Sequence, residues 1–442
     1  MNRLSLLVLF VSILTFSSTS ARNYTKERNG VLNRSEGYYK ELFMDSGMFV
    51  TSRRTLPAAS YLGLRMEYFA SATNDNLTQT DTLKQNAIFI GSDIDTNGWL
   101  LYPDGEPRYR AIYVNGGGAT RHAKGLTKAG CKAICDFVNA GGSYIGTCAG
   151  AYLATAGYMY RDKTPKSTDI FLHLWPGIMH STHLRKSHTP LKLEAKNPLS
   201  RYYDFGKDNI VDSVRHNGGG YGLGDIEGNL PAGTEVLARY IFKDNKKVKI
   251  NDRPARWAYK ESKQSGRVIM IGSHPEPVKS GERRDLMAAA LLYAMDGNGE
   301  PNIKGCLTPN TERAMNKRTE DNLPHYTRIG DRQYHHFEVD VPKGCKSITI
   351  TLKGYEGEDN YDLTLCAKER EIAFASNTKH INDSKGCYKE LKITKPKAGK
   401  WYISVLNTTT VNTITDTYGT EYITGTDVLN GTPYKISVAF DN

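Results

Sequence analysis

The feature that most constrains this chain is a cysteine bracketed by glycines, Gly146-Thr147-Cys148-Ala149-Gly150, directly after the apolar run Ser143-Tyr144-Ile145. Glycines at these places relieve crowding where a chain reverses sharply from strand to helix, and such a turn lifts its central side chain out of a sheet. The residues from Ala149 through Leu153 and Ala156 to Gly157 read as the following helix. A thiol at a helix amino terminus sees the positive end of the macrodipole, which favours thiolate. The short pattern also arises by chance; its placement between a strand and a helix gives it weight.

His274-Pro275-Glu276 follows a second buried-strand pattern, Arg267-Val268-Ile269-Met270-Ile271-Gly272. In open α/β sheets, sites collect at the carboxyl ends of parallel strands. Cys148 is the candidate nucleophile, and His274 its proton acceptor and then donor to a leaving amine. Glu276 is the group that fixes the imidazole tautomer, and Pro275 restricts the backbone between the two. A lone histidine is ordinarily a satisfied core or loop residue; the cysteine turn gives this one its catalytic reading. The third component is Asn115-Gly116-Gly117-Gly118, after an apolar run at 111–114. The N–H groups of Gly117, Gly118 and Ala149 make a candidate oxyanion hole, worth about 3–4 kcal/mol in a transition state. A flexible turn is the competing reading, and a phosphate loop would need the missing GxxxxGK pattern. A similar run, His216-Asn217-Gly218-Gly219-Gly220-Tyr221, reads first as a plain turn, with a place in the pocket lining as the alternative.

Between residues 38 and 296 apolar runs alternate with helical stretches. The pattern predicts an α/β fold: an open, mostly parallel sheet flanked by helices. Strands are expected at 41–44, 65–70, 87–90, 111–114, 143–146 and 268–271, with helices at 126–139 and 282–295. Residues 155–214 are irregular and rich in His, Lys and Arg, and read as an insertion over the sheet edge. Residues 297–330, with Pro301, Pro309 and Pro324, read as a linker. From 331 to 442 short alternating runs separated by Gly, Asn and Lys predict a small antiparallel β-sandwich.

With 442 residues the chain exceeds the ~250–300 at which single cores stop growing, consistent with two domains. Residues 1–21 have the marks of a signal peptide: Arg3, an apolar stretch from Leu4 to Phe16, then Ser18, Thr19, Ser20 and Ala21. That stretch is shorter than the ~20 residues a spanning helix needs, although an uncleaved anchor is the alternative. The expected location is secreted or periplasmic, without stable membrane insertion. The net charge of +11 is spread along the whole chain. That is not the footprint of a nucleic-acid groove.

Of seven cysteines, Cys306, Cys345, Cys366 and Cys387 form an even set suited to two disulfides after export. Proximity along the chain favours Cys366–Cys387 and Cys306–Cys345. Cys131 and Cys135, at i and i+4 of a predicted helix, read as small buried hydrophobes. With no CxxC and no HExxH, neither a metal nor another cofactor is expected.

Together, the cysteine turn, His274-Pro275-Glu276 and the glycines at 116–118, in this order, resemble the class I glutamine amidotransferase-like superfamily. The runs Val114–Ala119 and Gly141–Tyr152 are most similar to the domain at the amino end of some biotin–protein ligases. This resemblance covers roughly residues 38–296. It implies a flavodoxin-like fold and assigns nucleophile, base and acid to Cys148, His274 and Glu276. Glutamine-hydrolysing members carry Gln four residues after the cysteine, where this chain has Tyr152, so glutamine is not the implied substrate. The tail resembles a pre-peptidase carboxy-terminal β-sandwich through Tyr361-Asp362-Leu363-Thr364-Leu365 and Gly399-Lys400-Trp401-Tyr402-Ile403. The expected function is an exported cysteine hydrolase acting on a peptide or small amide through a thioester. Competing readings are a noncatalytic binding protein for a peptide or cell-surface polymer, and a cytoplasmic glutaminase.

Overall fold

The computed structural model describes residues 24–45, 56–69, 71, 99–160, 164–224, 228–318, 324–410, 413–415, 421–423 and 431–441. The expected signal segment and the expected strand at 87–90 lie outside these residues. Among the described residues no helix is long and apolar enough to cross a membrane.

The first strands are β1 (Lys40–Asp45), β2 (Met66–Phe69), β3 (Tyr109–Val114) and β4 (Ser143–Thr147). Next come β5 (Thr155–Met159), β6 (Lys166–Ser167), β7 (Trp175–Ser181), β8 (Ser187–Leu193) and β9 (Ile210–His216). They are followed by β10 (Gly220–Leu223), β11 (Glu235–Tyr240), β12 (Pro254–Tyr259) and β13 (Val268–Ile271). A nine-stranded sheet has the order β2-β1-β3-β4-β13-β12-β11-β8-β9. From β2 to β13 neighbours run parallel; beyond β13 every pair is antiparallel.

The sheet is therefore mixed, where a mostly parallel one was expected. The strands explain the difference. β3 is buried at every residue, as a strand covered on both faces must be, whereas β8 and β9 alternate buried and exposed positions. That alternation belongs to antiparallel strands with one wet face. The stretch 155–214 is thus ordered into β5–β9 rather than an irregular insertion. Part of it, β5, β6 and β7 with β10, makes a separate four-stranded sheet. It also corrects the helix expected from Ala149 to Gly157, which stops at Leu153 because Thr155–Met159 is a strand.

Alternate residues of the parallel strands feed two cores. Leu42, Ala111, Tyr113, Ile145 and Ile269 pack with the helix Gly281–Met295, whose residues from Leu286 to Met295 are all buried. Phe43, Ile112, Val114, Tyr144 and Met270 face the other way, against Leu126, Ile134 and Phe137 of the helix Ala119–Asn139. That helix starts earlier than expected and breaks at Thr127 (φ 64°), where the sequence pattern places its beginning.

The carboxy-terminal region forms a five-stranded and a four-stranded sheet around one core, including Phe337, Ile348, Leu365, Ile403 and Val438. Two of its strands, Ile303–Cys306 and Arg313–Met315, come from the stretch read as a linker, and the first pairs in parallel with Tyr334–Val341. No disulfide forms: all seven cysteines are free. On the strand Leu363–Glu369, Leu363, Leu365 and Ala367 point into the core that also holds Cys387. Cys366 alternates to the opposite face, which separates the expected pair. Cys306 is exposed beside the core residue Leu307, while Cys345 lies inside that core and donates to the Ser347 carbonyl at 3.2 Å.

Candidate active site

Three adjacent parallel strands, β3, β4 and β13, end side by side, and each delivers one component of the expected constellation. Register alone brings them together: Val114 pairs with Gly146, and Ile271 with Thr147. The glycine turn follows β3, Cys148 follows β4, and His274 follows β13.

Cys148 has φ 48° and ψ −103°, a sparsely populated conformation for a residue with a Cβ. Such a residue stores about 1–3 kcal/mol of strain and persists only where its surroundings over-determine it. Here they do. Its N–H donates to the Ile271 carbonyl at 2.8 Å, and the Gly150 N–H to the Asn115 carbonyl at 3.1 Å. Beneath the turn, the buried Tyr144 hydroxyl donates to the Gly150 carbonyl at 2.7 Å, and the Tyr113 and Thr147 hydroxyls pair at 2.8 Å. Both flanking glycines are required sterically. A Cβ on Gly146 would stand 2.4 Å from the Gly150 carbonyl carbon, and one on Gly150 would stand 2.1 Å from the Val114 oxygen.

His274 and Glu276 are both buried, and His274 Nδ1 meets Glu276 Oε1 at 2.8 Å. Burial alone would push the imidazole down; the Glu276 carboxylate and, after it, the Cys148 sulfur outweigh it and hold the ring at about 10. The ring is therefore cationic at neutral pH. Its Nε2 is buried and has no hydrogen-bond partner among the described residues. Ring and cysteine both adjoin Gly116: a Cβ there would lie 2.8 Å from His274 Cε1 and 3.6 Å from Cys148 Cβ. Gly117, Gly118, Ala149 and Cys148 all line one open cleft of about 390 Å³, within the range of ligand pockets. Gly117 has φ 145°, open to glycine but strained for other residues.

Four further participants frame the site, three of them with no signal in the sequence pattern. The second glycine run, expected as a plain turn, lines the cleft through Asn217, Gly218 and Gly219. It also packs on the backbone leading to His274: a Cβ on Gly219 would fall 2.0 Å from the Gly272 oxygen. The His274 N–H donates to the Arg215 carbonyl at 2.9 Å. The repeated Asn-Gly-Gly-Gly at 115–118 and 217–220 was the available signal. His216, pushed down to about 3 by burial and the neighbouring His274 charge, stays neutral with Nε2 on the Thr189 hydroxyl at 2.7 Å. Arg256 is fully buried; burial lowers it to about 9, with the Glu276 carboxylate acting against that fall. Nothing in the strand pattern Pro254–Tyr259 marks it. Finally, a buried network braces the first glycine turn: Ser71 bonds Asp45 at 2.6 Å and also His122 Nδ1, and Asn115 Nδ2 donates to the Asp45 carbonyl at 3.2 Å.

Tyr152, four residues after the cysteine, stands in the cleft with its hydroxyl donating to the Gly219 carbonyl at 3.1 Å. Cys131 and Cys135 are half-buried on the helix Ala119–Asn139, and burial pushes both thiols up to about 11. Among the described residues no cluster of His, Cys, Asp and Glu could hold a metal ion.

The family model described as "Biotin-protein ligase, N terminal" matches residues 105–290. That span contains Cys148, His274, Glu276 and both glycine turns. No match was found among curated proteins. Among solved structures, the chain is similar to the pre-peptidase C-terminal domain of collagenase from Bacillus anthracis. The identity is 16%, covering 32% of this chain and 99% of that chain, with a TM-score of 0.19. It is also similar to PliG of Aeromonas hydrophila, a periplasmic inhibitor of g-type lysozyme. There the identity is 12%, over 32% of this chain and 100% of that chain, with a TM-score of 0.17.

Proposed function

We propose that this protein is an exported cysteine hydrolase that cleaves an amide or peptide C–N bond, built on a glutamine amidotransferase-like, flavodoxin-related arrangement of β1–β4 and β13. One observation carries the reading: a strained, glycine-bracketed cysteine and a buried His–Glu pair meet at neighbouring strand ends beside an open cleft. The Cys148 sulfur attacks the substrate carbonyl, and the oxyanion is received by the N–H groups of Gly117, Gly118 and Ala149. A cationic His274 beside the sulfur stabilises negative charge on it and then gives its proton to the leaving nitrogen as the C–N bond breaks. Water adds to the thioester with the neutral imidazole taking its proton, the C–S bond breaks, the acid product leaves, and the Cys148 thiolate and His274 imidazolium are restored. Glu276 holds the ring through both steps.

The test is intact-mass detection of a covalent adduct on Cys148 after exposure to acyl-type electrophiles and a mixed peptide and amide library. An adduct that disappears in Cys148→Ala supports the reading. Labelling that survives the substitution, or none at all, favours a binding protein on the same fold.

A further inference from the structure

Resting on the hydrolase reading, we infer that the cleft selects an aromatic or large apolar side chain next to the scissile bond, on a substrate whose backbone is blocked rather than zwitterionic. The wall facing Cys148 carries the argument. The end of β5 and the residue after it bring Tyr158, Met159 and Tyr160 into the lining together with Phe171, and the Tyr158 and Phe171 rings pack 6.3 Å apart. Tyr160, 42% exposed, adds a large ring to the lining and packs edge-on against His183 at 5.0 Å. Among the described residues no Asp, Glu, Lys, Arg or His side chain lines the cleft. Its polar functions are backbone groups, hydroxyls and the Asn217 amide.

Two consequences follow from this composition. A wall of packed rings favours an aromatic or apolar partner, since ring pairs add about 0.5–1.5 kcal/mol beyond the area they bury. A charged group lying along the aromatic wall gives up its hydration with no counter-charge among the described residues that line it, which is strongly unfavourable. A free amino acid brings two such charges, an ammonium and a carboxylate. The same walls therefore exclude free glutamine, in keeping with Tyr152 closing one side of the cleft and tied to Gly219. An internal peptide bond or an N-acylated amide carries no charge at those places. The volume, about 390 Å³, holds one large side chain with its adjoining backbone.

The experiment compares alkylation rates of Cys148 in the full chain by N-acetylated chloromethyl ketones bearing Phe, Leu, Lys or Glu side chains. A zwitterionic diazoketone analogue of glutamine is included, and iodoacetamide is the side-chain-free reference. Modification is located by peptide mapping. The Phe and Leu reagents should react at least tenfold faster than the Lys, Glu and zwitterionic ones. Tyr160→Ala and Tyr158→Ala should shrink that ratio severalfold, each rate being taken relative to the same variant's iodoacetamide rate. Equal or inverted rates with a reactive Cys148 overturn the selectivity and leave the hydrolase reading standing. A Cys148 that ignores every reagent, iodoacetamide included, removes the hydrolase reading and this inference with it.

Discussion

At Cys148 the backbone conformation and the proposed chemistry pull in opposite directions. A φ of 48° suits glycine, so the side chain is retained against a local cost. Cys148→Gly should therefore be more stable than Cys148→Ala by about 1 kcal/mol in urea unfolding, with neither forming adducts. A glycine variant no more stable than the alanine one would mean the turn is unstrained. The neighbouring histidine gives a prediction in pH. His274 is raised from its ordinary value of 6.5 to about 10, chiefly by the Glu276 carboxylate working against burial. A group raised in the folded state contributes stability that is complete below its unfolded value and lost as pH climbs through the folded one. Glu276→Gln removes the anion, so the ring loses its proton well below 10. The stability gap between wild type and Glu276→Gln should narrow between about pH 6.5 and 10, and iodoacetamide reactivity of Cys148 should fall at neutral pH. A gap that is flat across that window would detach Glu276 from the ring.

Among the elements, the short apolar strands were legible because a strand covered on both faces has no polar positions to obscure it. β3, β4 and β13 fall within a residue or two of the expected runs, and each ends at the motif the sequence placed there. The antiparallel half was not legible for a reason of the same kind. β8, β9 and β11 carry Lys192, Asp212, Arg215, Glu235 and Arg239 at positions that are not fully buried, and these interrupt the apolar pattern. The paired disulfides failed because proximity along the chain ignores which face of a strand a cysteine occupies, as Cys366 and Cys387 illustrate. The second glycine turn was seen but undervalued, since its role depends on passing against Gly272 rather than on anything local. That contact is testable. Gly219 combines φ 81° with a Cβ position 2.0 Å from the Gly272 oxygen, so Gly219→Ala must displace one of the two segments. We expect a loss of at least about 2 kcal/mol in denaturant unfolding, together with slower Cys148 alkylation, because the displaced segment leads directly into His274. Loss of stability with alkylation intact would show the turn to be scaffold only.

For the whole molecule, the seam between the α/β region and the sandwich is closed by buried charge. Lys304, from the stretch expected as a linker, sits fully buried with Nζ 2.5 Å from Asp104 and 2.8 Å from Glu106. Gln333 donates to Asp104 at 2.6 Å, His335 approaches it at 3.6 Å, and Arg108 pairs with Asp331 nearby. A flexible tether would not bury a lysine, so the sandwich is docked and not merely appended. Two carboxylates around one ammonium cannot be equally content. Lys304 holds Asp104 well below the usual carboxylate range against its burial, while burial and the Asp104 charge raise Glu106 to about 7. A carboxyl raised in the folded state takes up protons on folding, so its contribution falls as pH rises from about 4.5 to 7. Glu106→Gln should remove that slope and cost little at neutral pH. Lys304→Met is the opposite case, because it strands two buried carboxylates, a loss expected at about 3–5 kcal/mol. Adding Asp104→Asn and Glu106→Gln to Lys304→Met should recover most of that loss, since the uncompensated charges are then gone. Urea unfolding across pH 4.5–8, followed separately by tryptophans of the two regions (Trp257 and Trp401), measures both effects. If the seam couples the regions, Lys304→Met splits one transition into two; a single unchanged transition would mean the cluster is not what joins them.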